Sequence, residues 1–422
     1  MKQKFLKYSK RAFTEVLREN LLINRLKESN FDLAFSHMYD FCPIGLIYAA
    51  KIPTWIWLNS GQIMDITAQY MGVPSPPSYV PPILADFSDR MDFSERLKSF
   101  MGHILIPLFQ ERLLIKPETE FFRKYIDKNF PDLTDIAMSC PLAMVNSNEL
   151  YNLPRPTLHK IIYIGGLGMK IESVKPLPQK FEEIAKRGKT LAIMTFGSFV
   201  NTTAMPKNWK NAFLNSFKKF KEIEFIVKYA GNDLNEQISS NVHLEKWIPQ
   251  RDLLQNEKTR IFITHGGYNS VQEAIHSSTP MIVIPLFADQ FLNARLAEHH
   301  GIAYKINKGR VSEEAVTSAI KTVTEDRSYV EKAKRLKKMV TRKPFKGEEL
   351  LIKWTEFLAE FKSLDNLVPY GTKLNFIQYF SIDVISVIGL TIIIILFIIY
   401  KLIMVVLALL KEKFLMKKEK IH

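Results

Sequence analysis

The stretch Trp247–Gln290, WIPQRDLLQNEKTRIFITHGGYNSVQEAIHSSTPMIVIPLFADQ, decides the fold. Ile261–Thr264 is a short run rich in β-branched residues that ends in His265-Gly266-Gly267. Tyr268–His276 then has helix-compatible composition, and Pro280 stops it. Met281–Pro285 reads as the next buried strand. Strand, glycine turn, helix and second strand make a right-handed parallel unit, whose ligands sit outside the carboxyl ends of the strands. His265 and its two glycines stand at that place. Glycine lets the backbone approach a phosphate, and the free amides and positive end of the following helix favour a diphosphate.

Taken singly, these residues are weak signals. A lone Trp is usually a packing residue, a His after a strand is usually structural, and a helix Glu is usually solvated. The joint spacing of Trp247, Gln250, His265, Gly267, Ser270, Glu273, Pro280 and Asp289-Gln290 is far more specific, and it resembles the donor-binding signature of the UDP-glycosyltransferases. The resemblance implies an α/β protein of two Rossmann-like lobes in the GT-B arrangement. It implies that Trp247 stacks on uracil and Gln250 meets the ribose or base. His265, Gly266, Gly267, Asn269 and Ser270 would hold the diphosphate, and Glu273 would accept the ribose hydroxyls. Asp289 and Gln290 would bond the hydroxyls of the donor sugar, a role suited to paired acceptors or an amide.

The chain has 422 residues, 47% of them hydrophobic, enough for two or three packed domains. Its formal charge of +15 is spread along the sequence with no nucleic-acid motif, so a nucleic-acid partner is not expected. Cys42 and Cys140 are the only cysteines, which excludes a disulfide framework and a CxxC metal site.

The first 30 residues are basic and apolar with helical periodicity and no apolar core segment, unlike a signal peptide. Phe31–Ser36 reads as a strand, with a turn at His37–Pro43, a short helix to about Ala50 and a second strand at Ile52–Leu58. This run resembles the family's acceptor lobe from its middle onward, so residues 1–160 are expected to form an acceptor lobe incomplete at its start. The family's catalytic base is a His in the opening part, which is not found here. At the position where the family has the Asp that orients it stands His37, with Asp40 three residues on. Either could assist a base, and His37 could itself be one.

Tyr70–Pro82 is proline-dense and reads as a loop beside the acceptor cleft. Phe87–Lys128 reads as amphipathic helix, rich in Phe and Met, expected to be core rather than pocket lining. Ala143–Ser147 is a further strand. Residues 161–180, with Gly165-Gly166-Leu167-Gly168 and several prolines, read as the linker to a UDP-sugar lobe at 181–345. Gly188-Lys189-Thr190 lacks the upstream glycine of a phosphate loop. Thr190–Phe196 and Phe225–Tyr229 read as strands of that lobe. By the resemblance, Ser198 and Lys228 lie near the diphosphate.

Residues 346–382 are expected to be returning helices and a juxtamembrane segment, and 383–410 a single transmembrane helix. Its only break is Lys401, which can snorkel. Five lysines within Lys411–Lys420 follow, against none in Asn375–Asp383, which places the tail 411–422 on the cytosolic side. The ending Lys418-Glu419-Lys420-Ile421-His422 resembles a dilysine retrieval signal of the endoplasmic reticulum. Asn201-Thr202-Thr203 is the one N-glycosylation acceptor. A form with an upstream signal peptide would expose it to the glycan machinery, whereas a chain read from Met1 is expected to leave Asn201 unmodified.

Two function classes follow. One is a membrane-anchored glycosyltransferase moving a sugar, glucuronosyl before glucosyl, from a UDP-sugar to a hydroxyl of a small lipophilic acceptor, with inversion and without metal or other cofactor. The other is a short form that binds donor without turning it over. A homo-oligomer is compatible with either.

Overall fold

A computed structural model describes residues 21–169 and 175–419. Most of the basic N-terminal segment, part of the linker and the last tail residues lie outside the described residues. The chain divides into a compact body ending at Leu367 and a second unit from Val368 onward.

The first sheet contains β1 (Ala34–His37), β2 (Trp55–Asn59), β3 (Leu142–Val145) and β4 (Ile161–Tyr163), in that order and all parallel. The first strand starts later than its composition suggests. Asn30 adopts a φ of 48° and Phe31 is exposed, so the chain is still turning out of the helix Leu21–Glu28. The linker reading is corrected at its start, because Ile161–Tyr163 pairs with Ala143–Val145 as an edge strand. Three apolar residues beside a glycine cluster carry no period of their own, and only the neighbouring strand makes them a strand.

The long helical segment runs as Phe93–Gln110, a π-turn at Glu111–Ile115 and Lys116–Tyr125. Asp92 and Glu95 close a capping box at its start. Its expected burial is not found over the first half, where Phe93, Leu97, Phe100, Ile104 and Leu108 are all exposed. The inward side is taken by Ser99 and His103, which bond the Val80 carbonyl at 3.3 and 2.8 Å. The proline loop thus packs on that side and turns the apolar stripe outward.

The second sheet comprises β5 (Thr190–Thr195), β6 (Ile223–Lys228), β7 (Val242–Glu245), β8 (Thr259–Thr264), β9 (Met281–Val283) and β10 (Ala303–Lys305). The order β10-β9-β8-β5-β6-β7 is parallel throughout. Its strands are nearly continuous apolar runs because helices cover both faces, through two separate clusters around Phe262 and Phe225. The direction of strand order reverses between β5 and β8, and this is the switch point where a doubly wound sheet opens a crevice.

After the second lobe, the helix Gly347–Phe361 returns to the first sheet. Leu350, Leu351, Trp354 and Leu358 pack there with Ile56, Leu142, Met144 and Ile162. In the unit beyond Leu367, the helix Ile382–Glu419 contains a 32-residue stretch, Ile382–Lys413, of mean hydropathy 3.1 with none of its apolar window buried. It is long and apolar enough to cross a bilayer.

Candidate functional site

The site forms where β5 and β8 lie side by side, Thr195 opposite Thr264, and both chains turn away from the sheet. Gly197 follows β5 with a φ of 80°, and Gly266 follows β8 with the same value. Both need the left-handed region that side chains avoid. A Cβ on Gly197 would stand 2.8 Å from His265 Cε1, and one on Gly267 2.6 Å from His265 Nε2. The imidazole is therefore slotted between two bare backbones. Burial pushes its pKa down to about 4, so it is neutral near pH 7.

From the other side Lys228, at the end of β6, donates to the Gly197 carbonyl at 3.3 Å and brings a cation to the turn. Ser198 is exposed beside it. The helix Tyr268–Ser277 begins at Gly267 without a side-chain cap. Its leading amides, with the positive end of its dipole, face the crevice where no cap occupies them. Asn269 is exposed on its first turn, while Ser270 is buried.

One turn further, Gln250 Nε2 donates to Glu273 Oε2 at 2.5 Å and to Ser270 Oγ at 3.3 Å. Burial raises the Glu273 pKa, and the Gln250 bond works against that rise. The carboxylate keeps a second oxygen for a ligand hydroxyl. Trp247 lies on the loop after β7 with its large ring 65% exposed, as a stacking platform would be and a packing residue would not.

Asp289 and Gln290 open the helix Gln290–His299 on the far side of the crevice. Ala288 takes a φ of 56° to set this corner. Burial raises the Asp289 pKa, against a bond from Asn293 Nδ2 at 2.8 Å. Gln290 uses its amide oxygen to accept from the Leu286 and Phe287 amides at 2.9 and 3.1 Å, so that end of the side chain shapes the loop.

The cleft between the lobes is a cavity of about 260 Å³. Met38, Tyr39, Met64, Ile83 and Leu84 line it from the first lobe, and Asn269 and Asp289 from the second. Its lining mixes the apolar Met38, Met64, Ile83 and Leu84 with polar groups from both lobes, Ser60 and Gln62 on one side and Asn269 and Asp289 on the other, which suits a largely apolar molecule with a polar end.

His37 sits at the end of β1, half-exposed, with Nε2 3.7 Å from Asp40 Oδ2. Its Nδ1 accepts the Tyr39 amide at 3.1 Å. The nitrogen accepting that amide carries no proton, so the neutral ring holds its hydrogen on Nε2, facing Asp40. Asp40 also accepts the Cys42 amide at 3.2 Å. The structure thus gathers Ser198, Lys228, Trp247, Gln250, His265 to Ser270, Glu273 and Asp289-Gln290 on one lobe, and leaves His37 and Asp40 as a pair on the other.

Several residues that position the site were not legible in the sequence. Ser147 and Tyr268 share a short hydrogen bond across the lobes, and Tyr151 donates to Gln272 at 2.7 Å. Gln62 Nε2 donates to Asn293 Oδ1 at 3.0 Å. Asp86 pairs with Arg295 at 3.1 Å and with Lys305. Each pair joins residues from different lobes, so no local pattern announces it.

The family model described as UDP-glucoronosyl and UDP-glucosyl transferase matches residues 1–420. Human UDP-glucuronosyltransferase 1A8 is 30% identical over 90% of this chain and 70% of its own length. UDP-glucosyltransferase 2 of Dactylopius coccus is 28% identical over 89% of this chain and 72% of its own. Among solved structures, the spinosyn forosaminyltransferase SpnP superposes with a TM-score of 0.56 at 14% identity, over 80% of this chain and 78% of that one. The glycotransferase of kitacinnamycin gives 0.53 at 18%, over 80% and 76%. These likenesses show the two-lobed GT-B fold, and with the family match over nearly the whole length they establish that the chain belongs to the UDP-glucoronosyl and UDP-glucosyl transferase family.

Proposed function

We propose that this UDP-glycosyltransferase moves a hexosyl group, glucuronosyl in preference to glucosyl, onto a hydroxyl of a small lipophilic acceptor with inversion at the sugar carbon. The observation that carries the reading is the neutral His265 slotted between Gly197 and Gly267 at an uncapped helix N-terminus. A buried neutral imidazole and free amides are preorganised donors for charge that develops on a departing diphosphate. Lys228 adds a cation from behind the same turn. Trp247 would stack on the base, Gln250 and Glu273 would hold the ribose, and Asp289 with Gln290 would hold the sugar. Met38, Met64, Ile83 and Leu84 in the 260 Å³ cavity support a lipophilic acceptor lying against that sugar.

In this assignment residues 1–160 carry the acceptor lobe and 181–345 the donor lobe. The helix at 383–410 spans the endoplasmic reticulum membrane, with the lysine-rich tail 411–422 in the cytosol. A second reading, donor binding with little turnover, is favoured by one observation: the free lone pair of His37 is already spent on the Tyr39 amide.

Calorimetry of UDP binding to the full chain in detergent tests the donor site. Glu273→Ala should weaken binding by about 1.5–3 kcal/mol, the range for a hydrogen bond to a charged group. Trp247→Ala should cost about 1–3 kcal/mol, as for a lost base stack. Unchanged affinity in both variants would overturn the assignment.

A further inference from the structure

We propose that Asn293 is a positioning residue which ties the first lobe to both halves of the donor site at once, an inference that rests on the donor-site reading above. Asn293 is fully buried, one turn into the helix Gln290–His299. Its Nδ2 donates to the Gly266 carbonyl at 3.0 Å and to Asp289 Oδ2 at 2.8 Å. Its Oδ1 accepts from Gln62 Nε2, across the cleft, at 3.0 Å. Both donors and the acceptor of one amide are thereby used, and swapping O for N would leave three mismatched contacts.

Each contact has a consequence for the donor. A trans peptide holds its C=O and N–H in opposite directions, so anchoring the Gly266 carbonyl fixes the Gly267 N–H on the other side of the plane. That amide belongs to the uncapped start of the helix. Holding Asp289 by one oxygen presents the other in a set direction, which a sugar with several neighbouring hydroxyls requires. Gln62, itself buried and lining the cleft, then makes this arrangement depend on the position of the first lobe. The diphosphate turn, the sugar carboxylate and the acceptor side of the cleft meet on one side-chain amide. Gly266 must stay a glycine in this arrangement, since a Cβ there would lie 2.8 Å from Val283 Cγ1 and its φ is 80°.

The test compares UDP-sugar and UDP affinities on the full chain. Asn293→Asp keeps the shape but sets a carboxylate against Asp289 and the Gly266 carbonyl. UDP-glucuronate, or UDP-glucose if that is the tighter donor, should lose at least tenfold in affinity, and UDP several-fold less, because UDP lacks the sugar contact. Gln62→Met preserves volume and removes the donor. It should lower the ratio of UDP-sugar to UDP affinity on its own and add nothing to Asn293→Ala, which takes away the oxygen that accepts the Gln62 bond. A purely structural Asn293 would lower the melting temperature and leave that ratio within twofold, and this result, or additive effects of the two changes, would overturn the proposal. Failure of the donor-site reading looks different: Glu273→Ala would then bind UDP as the unaltered chain does. An unaltered chain that binds neither ligand overturns both.

Discussion

Gly197 and His265 share one slot: the ring fills the space that any side chain at 197 would take, 2.8 Å from where its Cβ would be. Two turns from strands 69 residues apart in sequence, β5 and β8, thus make a single structure. Gly197→Ala should both strain a φ of 80° and push the imidazole out. The backbone term alone is about 1–2 kcal/mol. UDP affinity is expected to fall at least tenfold, about 1.4 kcal/mol, with no new charge or lost hydrogen-bonding group. Titration of that variant with UDP checks it, and affinity within twofold of the unaltered chain would mean the ring is not held by this contact.

His276, on the last turn of the helix Tyr268–Ser277, gives a pH-dependent test. Burial, helped by the charges of Lys337 and Arg251, lowers its pKa from 6.5 to about 4, and its Nε2 has no hydrogen-bond partner. A His depressed in the folded state is neutral in both states at pH 7 and protonated only in the unfolded chain at pH 5. Stability is therefore lost as pH falls from about 6.5 toward 4. At pH 5 this amounts to about 2 kcal/mol, from 1.5 pH units below the unfolded pKa. His276→Gln removes the site, so thermal unfolding of variant and unaltered chain should diverge in the variant's favour from pH 7 to pH 5. Buried carboxyls such as Asp65 and Asp289 titrate in both chains and cancel. A difference that does not change with pH would show that His276 can be protonated in place.

The fold of the second lobe was legible because its evidence is local. His265-Gly266-Gly267 must follow a strand and precede a helix, and forty-four residues hold the whole β8–helix–β9 unit. The outward apolar face of Phe93–Leu108 was not, since periodicity shows that a stripe exists and not which side the proline loop will cover. The edge strand Ile161–Tyr163 was missed because its strand character comes entirely from its partner β3. Asn293 escaped for the same reason. It lies four residues after Asp289, and its meaning appears only when Gln62, 231 positions earlier, is folded against it.

The last prediction concerns the base. A general base needs an unprotonated nitrogen or oxygen directed at the acceptor hydroxyl. On His37 the only such nitrogen is Nδ1, and it accepts the Tyr39 amide at 3.1 Å. The other nitrogen carries the proton and faces Asp40 at 3.7 Å. Met38 and Tyr39 line the cleft, while the His37 ring turns toward Asp40. His37→Ala is therefore expected to leave UDP affinity unchanged and to lower the rate of sugar transfer by less than about tenfold, below the roughly 10²–10⁴ a general base contributes. Single-turnover transfer to a panel of lipophilic alcohols and phenols, measured on both chains across pH 6–9, decides it. A loss of a hundredfold or more, together with disappearance of a pKa from the acid limb of the profile, would make His37 the base and require the Tyr39 amide to let go of its ring during the reaction.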